Sequence, residues 1–180
     1  MRFCIIIIAL CCISSSTIDK LERFAWNPDK KLQWTDFKAP PDYGSAYAAT
    51  ANTGISHSYA LNGKGYYDKE NSKVRAHFYP TLSWYRPSDS SETILRHEQA
   101  HFDITEIHAR KLRKRIQAFN FSSNSQKEVK QLYEAVEEER KAMQQLFDKE
   151  TNHSRETAQE FIWESKIAKM LLELDEYSYK

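Results

Sequence analysis

A chain of 180 residues with 26 Lys plus Arg against 25 Asp plus Glu suits one domain with a sizeable core. It carries no net field that would draw it to nucleic acid or to an anionic membrane surface. Partners must therefore be specified locally.

The first residues set the compartment. Arg2 precedes an apolar run, Phe3 to Ile13, and then Ser14-Ser15-Ser16. A charged start, an aliphatic middle and small residues at the end are the secretory order, and the run is too short to span a bilayer. Residues 1–16 read as a signal peptide and residues 17–180 as a single domain, exported to the periplasm or beyond, with no membrane span in its mature form. Cleavage there removes Cys4, Cys11 and Cys12, so the mature chain has no disulfide. It also removes Arg2, leaving 25 basic against 25 acidic residues.

Residues 19–42 place Phe24, Trp26, Trp34 and Phe37 among Pro28, Pro40 and Pro41, a pattern of extended segments and turns that dock aromatics on a core. The alternation in residues 32–37 predicts a short strand or turn entry. Asn62-Gly63 offers a two-residue hairpin turn between residues 55–61 and 64–67. The clearest strand is residues 73–79, with Val74, Ala76 and Phe78 on one face, ended by Pro80. A strand in this place, just before the next long helical pattern, offers an edge on which an extended peptide can pair through backbone bonds. His57 and His77 have no partner at ligand spacing and read as surface or core residues. Tyr79 and Tyr85 are candidates to donate to a developing oxyanion.

The centre of the chain is Leu95-Arg96-His97-Glu98-Gln99-Ala100-His101-Phe102-Asp103. Asp89 is placed to cap a helix with Glu92 three residues on. Ile94, Ile104, Leu112 and Ile116 then recur at helical spacing to about residue 117. On that helix His97 and His101 leave one face a turn apart, which is the HExxH arrangement. Neutral imidazoles hold Zn²⁺, and a carboxylate beside the open position, Glu98, takes a proton from water. Two further helices follow, at residues 125–147 and 155–176. Leu132, Val136, Met143 and Phe147 stripe the first; Phe161, Ile162, Ile167, Met170, Leu171 and Leu174 stripe the second. The basic run 109–115 suits the negative end of the motif helix rather than a nucleic acid.

A catalytic zinc needs a third protein ligand. His108 faces the right way but lies about 10 Å further along the helix axis. No glycine turns the chain after His101. Glu134, Glu137, Glu138 and Glu139 of the second helix stay open as candidates. So does His153, at the junction of two helices where a turn aims the side chain. Asp103 and Asp148 are candidates to orient a ligand histidine.

Leu82-Ser83-Trp84, the block from Leu95 to Ile104 with Arg110 after it, Asp148-Lys149-Glu150-Thr151-Asn152-His153, and the trailing Gln159 and Trp163 together resemble a bacterial family, domain of unknown function 922. That family is described as predicted secreted zinc-dependent proteases, and the likeness runs from about Trp26 to Leu174. It implies a zincin-like fold, export, Zn²⁺ and His153 as third ligand. Where the family tends to place Gly after that histidine, this chain has Ser154.

The expectation is an α+β, zincin-like domain in which a small antiparallel sheet of the N-terminal half packs on a three-helix C-terminal half carrying HExxH. Its expected activity is zinc-dependent hydrolysis of peptides or proteins, with Glu98 as general base and His97, His101 and His153 on the metal. The alternative is a non-catalytic, zinc-stabilised module of the cell envelope, in which the ion only ties helices together.

Overall fold

A computed structural model describes residues 21–179; the expected signal segment, with its three cysteines, lies outside the described residues. The architecture is α+β. A three-stranded antiparallel sheet has the order β1 (Phe24–Ala25), β4 (Tyr67–Phe78), β3 (Thr53–Leu61), and a two-stranded one pairs β2 (Ala49–Thr50) with β5 (Trp84–Tyr85). Three helices follow: α1 (Glu92–Ala118), α2 (Ser125–Thr151) and α3 (Thr157–Glu173). Among the described residues no helix is long and apolar enough to cross a membrane.

The sheet is more continuous than the sequence pattern predicts. The expected strand at 73–79 is the second half of a twelve-residue β4, which lies between β1 and β3 and is paired on both sides at His77 and Phe78. The turn between β3 and β4 is not a two-residue hairpin at Asn62-Gly63. Asn62 Oδ1 accepts the N–H groups of Lys64 and Tyr66, and Gly65, at φ 79°, takes the left-handed position that a residue with a Cβ avoids. Residues 32–37 form no strand either. Trp34–Asp36 is a 3-10 turn closed by Gln33 N–H on Asp36 Oδ2, 2.9 Å.

The aromatics dock as expected. Phe24, Phe37 and Phe102 surround Phe78, with ring centroids 5.2–5.8 Å from it, at spacings typical of favourable tilted and edge contacts. Phe78 and α1 residues Phe102 and Leu112 anchor the core between sheet and helix, and Ile104, Ile107, Phe147 and Trp163 fill a second core between helices.

α1 is capped by Ser91, not Asp89. Ser91 Oγ accepts from Ile94 N–H at 3.2 Å, while Asp89 faces Arg86 Nε at 2.9 Å. α2 runs one turn past Phe147 and ends at Asn152, whose left-handed backbone (φ 48°) returns an N–H to Asp148 O. α3 turns most of its expected stripe inward, with Ile167 buried and Met170, Leu171 and Leu174 packed on the second core, but its first turns differ. Phe161 and Ile162 are each 57% exposed, and Glu160, Trp163 and Ile167 point inward. The reason lies in polar partners on the other helices. Trp163 Nε1 donates to Glu150 Oε2 at 2.8 Å, and Glu160 meets His97.

Candidate metal centre

The i, i+4 spacing on α1 delivers His97 and His101 to one face, and Phe147 of α2 packs both rings, stacked on the first at 4.5 Å and edge-on to the second at 5.1 Å. One turn of helix past Gln144, Asp148 brings its carboxylate to the same place. His97 Nε2, His101 Nε2 and Asp148 Oδ1 form a nearly equilateral triangle with sides of 3.2, 3.2 and 3.0 Å.

The proton positions follow from the outer contacts. His97 Nδ1 lies 2.7 Å from the carboxylate of Glu160, and His101 Nδ1 lies 3.0 Å from Gln144 Oε1. Both partners are acceptors, so each Nδ1 donates and each Nε2 is left with a lone pair. Two lone pairs and a carboxylate oxygen about 3 Å apart repel unless a positive charge lies among them. The spacing also fits a metal. Ligand atoms ~2.0–2.1 Å from a tetrahedral Zn²⁺ stand roughly 3.3 Å from one another, and three of them leave the fourth direction open. Without a metal the charge is a proton. Burial opposes ionisation of His97, but hydrogen bonds to Asp148 and Glu160 outweigh it and raise its pKa to about 9. Burial likewise pushes Asp148 up, yet the bonds from His101 and His97 hold it well below the usual carboxylate range.

The triangle floors a cleft of about 480 Å³. One wall is the segment 46–51, made of Ala, Tyr and Thr; the other is the turn His153-Ser154-Arg155. Glu98 lines the floor beside the histidines, and its Oε2 accepts the N–H of Ala51 at 2.6 Å. That bond fixes the carboxylate and leaves Oε1 as its second acceptor.

The structure brings His97, Glu98, His101 and Asp148 together. His153 also lines the cleft, with Nδ1 at 3.6 Å from Asp148 Oδ1 and its ring 4.6 Å from that of Tyr47, but it stands outside the close triangle. Asn152, His153 and Ser154 all adopt positive φ, at 48°, 51° and 68°. Asp103 touches neither histidine ring; it accepts from Trp26 Nε1 (2.6 Å) and Gln99 Nε2 (2.8 Å). Gln99 in turn accepts Leu32 N–H, so these two motif residues clamp the N-terminal segment to the back of α1. Tyr85 stacks on Trp34, and Tyr79 abuts Gly54. Neither lines the cleft, whereas Tyr47 does. The second-helix glutamates pair elsewhere: Glu134 with Lys130, Glu137 with Arg140, Glu138 with Lys141 and Glu139 with Arg115. The sequence reading missed Gln144 and Glu160. Gln144 had a signal, since it lies four residues before Asp148 on one face of α2; Glu160 had none.

A protein-family model described as "Bacterial protein of unknown function (DUF922)" matches residues 31–154. No curated protein and no solved structure matches the chain.

Proposed function

The chain belongs to the DUF922 family, whose model covers more than half of it, and on that footing we propose an exported zinc-dependent peptidase with a zincin-like site. The observation that carries this reading is the triangle of His97, His101 and Asp148 with Glu98 beside it at the floor of an open cleft. Those three side chains hold the ion. When bound, Zn²⁺ supplies Lewis acidity, lowering the pKa of water toward neutrality and polarising a carbonyl. The rest is done by the chain. Glu98, tethered through Oε2 to Ala51, takes the proton of the attacking water on Oε1 and later returns it to the leaving amine.

The wall 46–51 suits an extended polypeptide. Arg86 N–H bonds Ala48 O, and Ala49 lies opposite Tyr85 in the antiparallel pair. This register turns the N–H and C=O of Ala49 away from β5, to the side on which Ala51 N–H meets Glu98. A peptide laid along that edge gains backbone hydrogen bonds that depend little on its sequence. The end of β4 that leads toward the motif cannot play this part, because His77 and Phe78 are paired on both sides, by β1 and by β3.

His153 favours a second reading. Its Nδ1 is close enough to Asp148 that a rotation of the ring adds a fourth donor and closes the site, as in a non-catalytic zinc-stabilised envelope module. One experiment separates the two: metal content, zinc affinity and cleavage of denatured casein, for wild type and Glu98→Gln. A peptidase binds one zinc in both forms, and the variant cleaves ~10²–10⁴-fold more slowly. A structural module cleaves in neither form. A protein that binds no zinc fails both readings.

A further inference from the structure

We propose that Glu160 is a positioning residue of this centre, a buried carboxylate on α3 that fixes His97 with its proton on Nδ1 and its Nε2 lone pair toward the ion. The inference rests on the metal-centre reading and adds to it a residue beyond the 31–154 span of the family match.

Both partners are almost fully buried, Glu160 at 2% and His97 at 5% exposure, and Glu160 Oε1 lies 2.7 Å from Nδ1. The other carboxylate oxygen, Oε2, is buried with no hydrogen-bond partner. A carboxylate with a single hydrogen bond in the interior is costly to keep ionised unless positive charge reaches it. The positive charge that would reach it comes through the His97 ring from whatever sits at Nε2, a proton in the metal-free site or the ion when bound. The carboxylate cannot retreat. Arg96 Nε holds Glu164 at 3.1 Å, four residues along α3, and Trp163 Nε1 holds Glu150, so the helix is pinned just beyond Glu160.

The two ligand histidines are thereby made unequal. The Nδ1 proton of His97 goes to an anion, which increases the basicity of Nε2, while that of His101 goes to the neutral amide oxygen of Gln144 and gains less. Glu160 therefore acts on the ion through His97.

Zinc competition titration of the purified full chain tests this, with wild type, Glu160→Ala, Glu160→Gln and Gln144→Ala compared. Glu160→Ala should bind zinc ~10–100-fold more weakly with its far-ultraviolet circular dichroism retained. Glu160→Gln, which keeps an acceptor and loses the charge, should fall between it and wild type, and Gln144→Ala should lose less than Glu160→Ala. Nitrogen-15 NMR of zinc-loaded wild type supplies a readout independent of any variant. His97 should be coordinated through Nε2 and show a slowly exchanging Nδ1 proton, which Glu160→Gln retains. Unchanged zinc affinity in folded Glu160→Ala, or coordination of His97 through Nδ1, overturns the proposal. Should Glu160→Ala not fold, the wild-type NMR and the affinity of Glu160→Gln decide it, wild-type affinity in Glu160→Gln counting against it. Failure of the underlying reading looks different: wild type itself then binds no more zinc than His97→Ala.

Discussion

Two buried ionic clusters lie on α1, two turns apart, and they balance their charges in opposite ways. In the C-terminal one, Glu106 takes Arg110 Nε at 2.9 Å and Arg113 Nη2 at 2.5 Å. Further guanidinium donors go to backbone carbonyls: Arg110 Nη1 to Leu171, Arg113 Nη1 to Val74 and Arg113 Nε to Tyr177. Two carboxylates against two guanidinium groups, Asp175 Oδ1 lying 3.5 Å from Arg110 Nη1, with those donors spent on carbonyls, are closed without a ligand. In the N-terminal cluster, three carboxylates, Glu98, Asp148 and Glu160, converge on two imidazoles. No lysine or arginine pairs with those three carboxylates among the described residues, and without an ion the balancing charge is a proton on His97. The contrast explains why the basic run 109–115 is structural while HExxH is a candidate site: a structural cluster satisfies itself, and a metal site leaves a deficit shaped like its ion.

The largest effects should separate the clusters. His97→Ala should reduce zinc affinity by more than the ~10–100-fold typical of losing an outer contact, with the fold retained. Arg110→Met should do the reverse. It leaves Glu106 buried with one partner fewer, at a cost of about 3–5 kcal/mol, while the zinc affinity of the folded protein stays at the wild-type value. Chemical denaturation paired with zinc titration reads both. Loss of zinc binding in Arg110→Met under native conditions would show that the clusters are one unit.

Within the N-terminal cluster, the third position can be sharpened. Asp148→Ala should weaken zinc binding more than His153→Ala, since Asp148 closes the triangle and His153 stands at its rim. The opposite order, measured by the same titration, would return the third position to His153 and leave Asp148 as the group that orients it.

A smaller, pH-dependent effect follows from His97. Its folded-state pKa is raised to about 9 by Asp148 and Glu160 against the burial that lowers it. In metal-free protein its proton therefore contributes stability that is fully present below the ordinary histidine value of about 6.5 and is lost as pH rises through about 9. Zinc displaces that proton, so apparent zinc affinity should climb about tenfold per pH unit across the same window and level off above it. The C-terminal cluster releases no proton to zinc. A flat zinc affinity between pH 6.5 and 9 would mean that His97 is already neutral before the ion arrives.

How much of this was legible in the sequence depended on how local the cause was. HExxH, its helix and the burial of Phe78 and Ile104 follow from spacing within a few residues, and the α+β division follows from where period two gives way to period 3.6. What failed depends on contacts between distant segments. Phe161 and Ile162 look like a core stripe, but Glu150 and His97 pull the opposite face of α3 inward. Tyr79 and Tyr85 sit near the motif in sequence, yet Trp34 and Gly54 claim them. Tyr47 reaches the cleft only because residues 49–50 pair with residues 84–85. Asp148 was legible as a partner of a ligand histidine, but not as a corner of the triangle, since that depends on how α2 crosses α1.

The smallest effect concerns the turn that carries His153. Three consecutive residues with side chains, Asn152, His153 and Ser154, hold positive φ, where a Cβ meets the following carbonyl at a cost of roughly 1–2 kcal/mol per residue. Asn tolerates this best, and Ser154, at φ 68°, has no special means of doing so. It is also where the resembling family tends to place glycine. Ser154→Gly relieves the clash but makes the unfolded chain more flexible, which costs about 0.5–1 kcal/mol. The net should be a stabilisation of up to about 1 kcal/mol, a rise of roughly 2–4 °C in Tm for a chain of this size. Because the substitution removes no polar group of the triangle, zinc affinity should stay within about twofold of wild type. A fall in Tm would mean that Ser154 does not hold the left-handed conformation, and a rise in Tm joined to weaker zinc binding would show that the strain itself presses His153 toward Asp148.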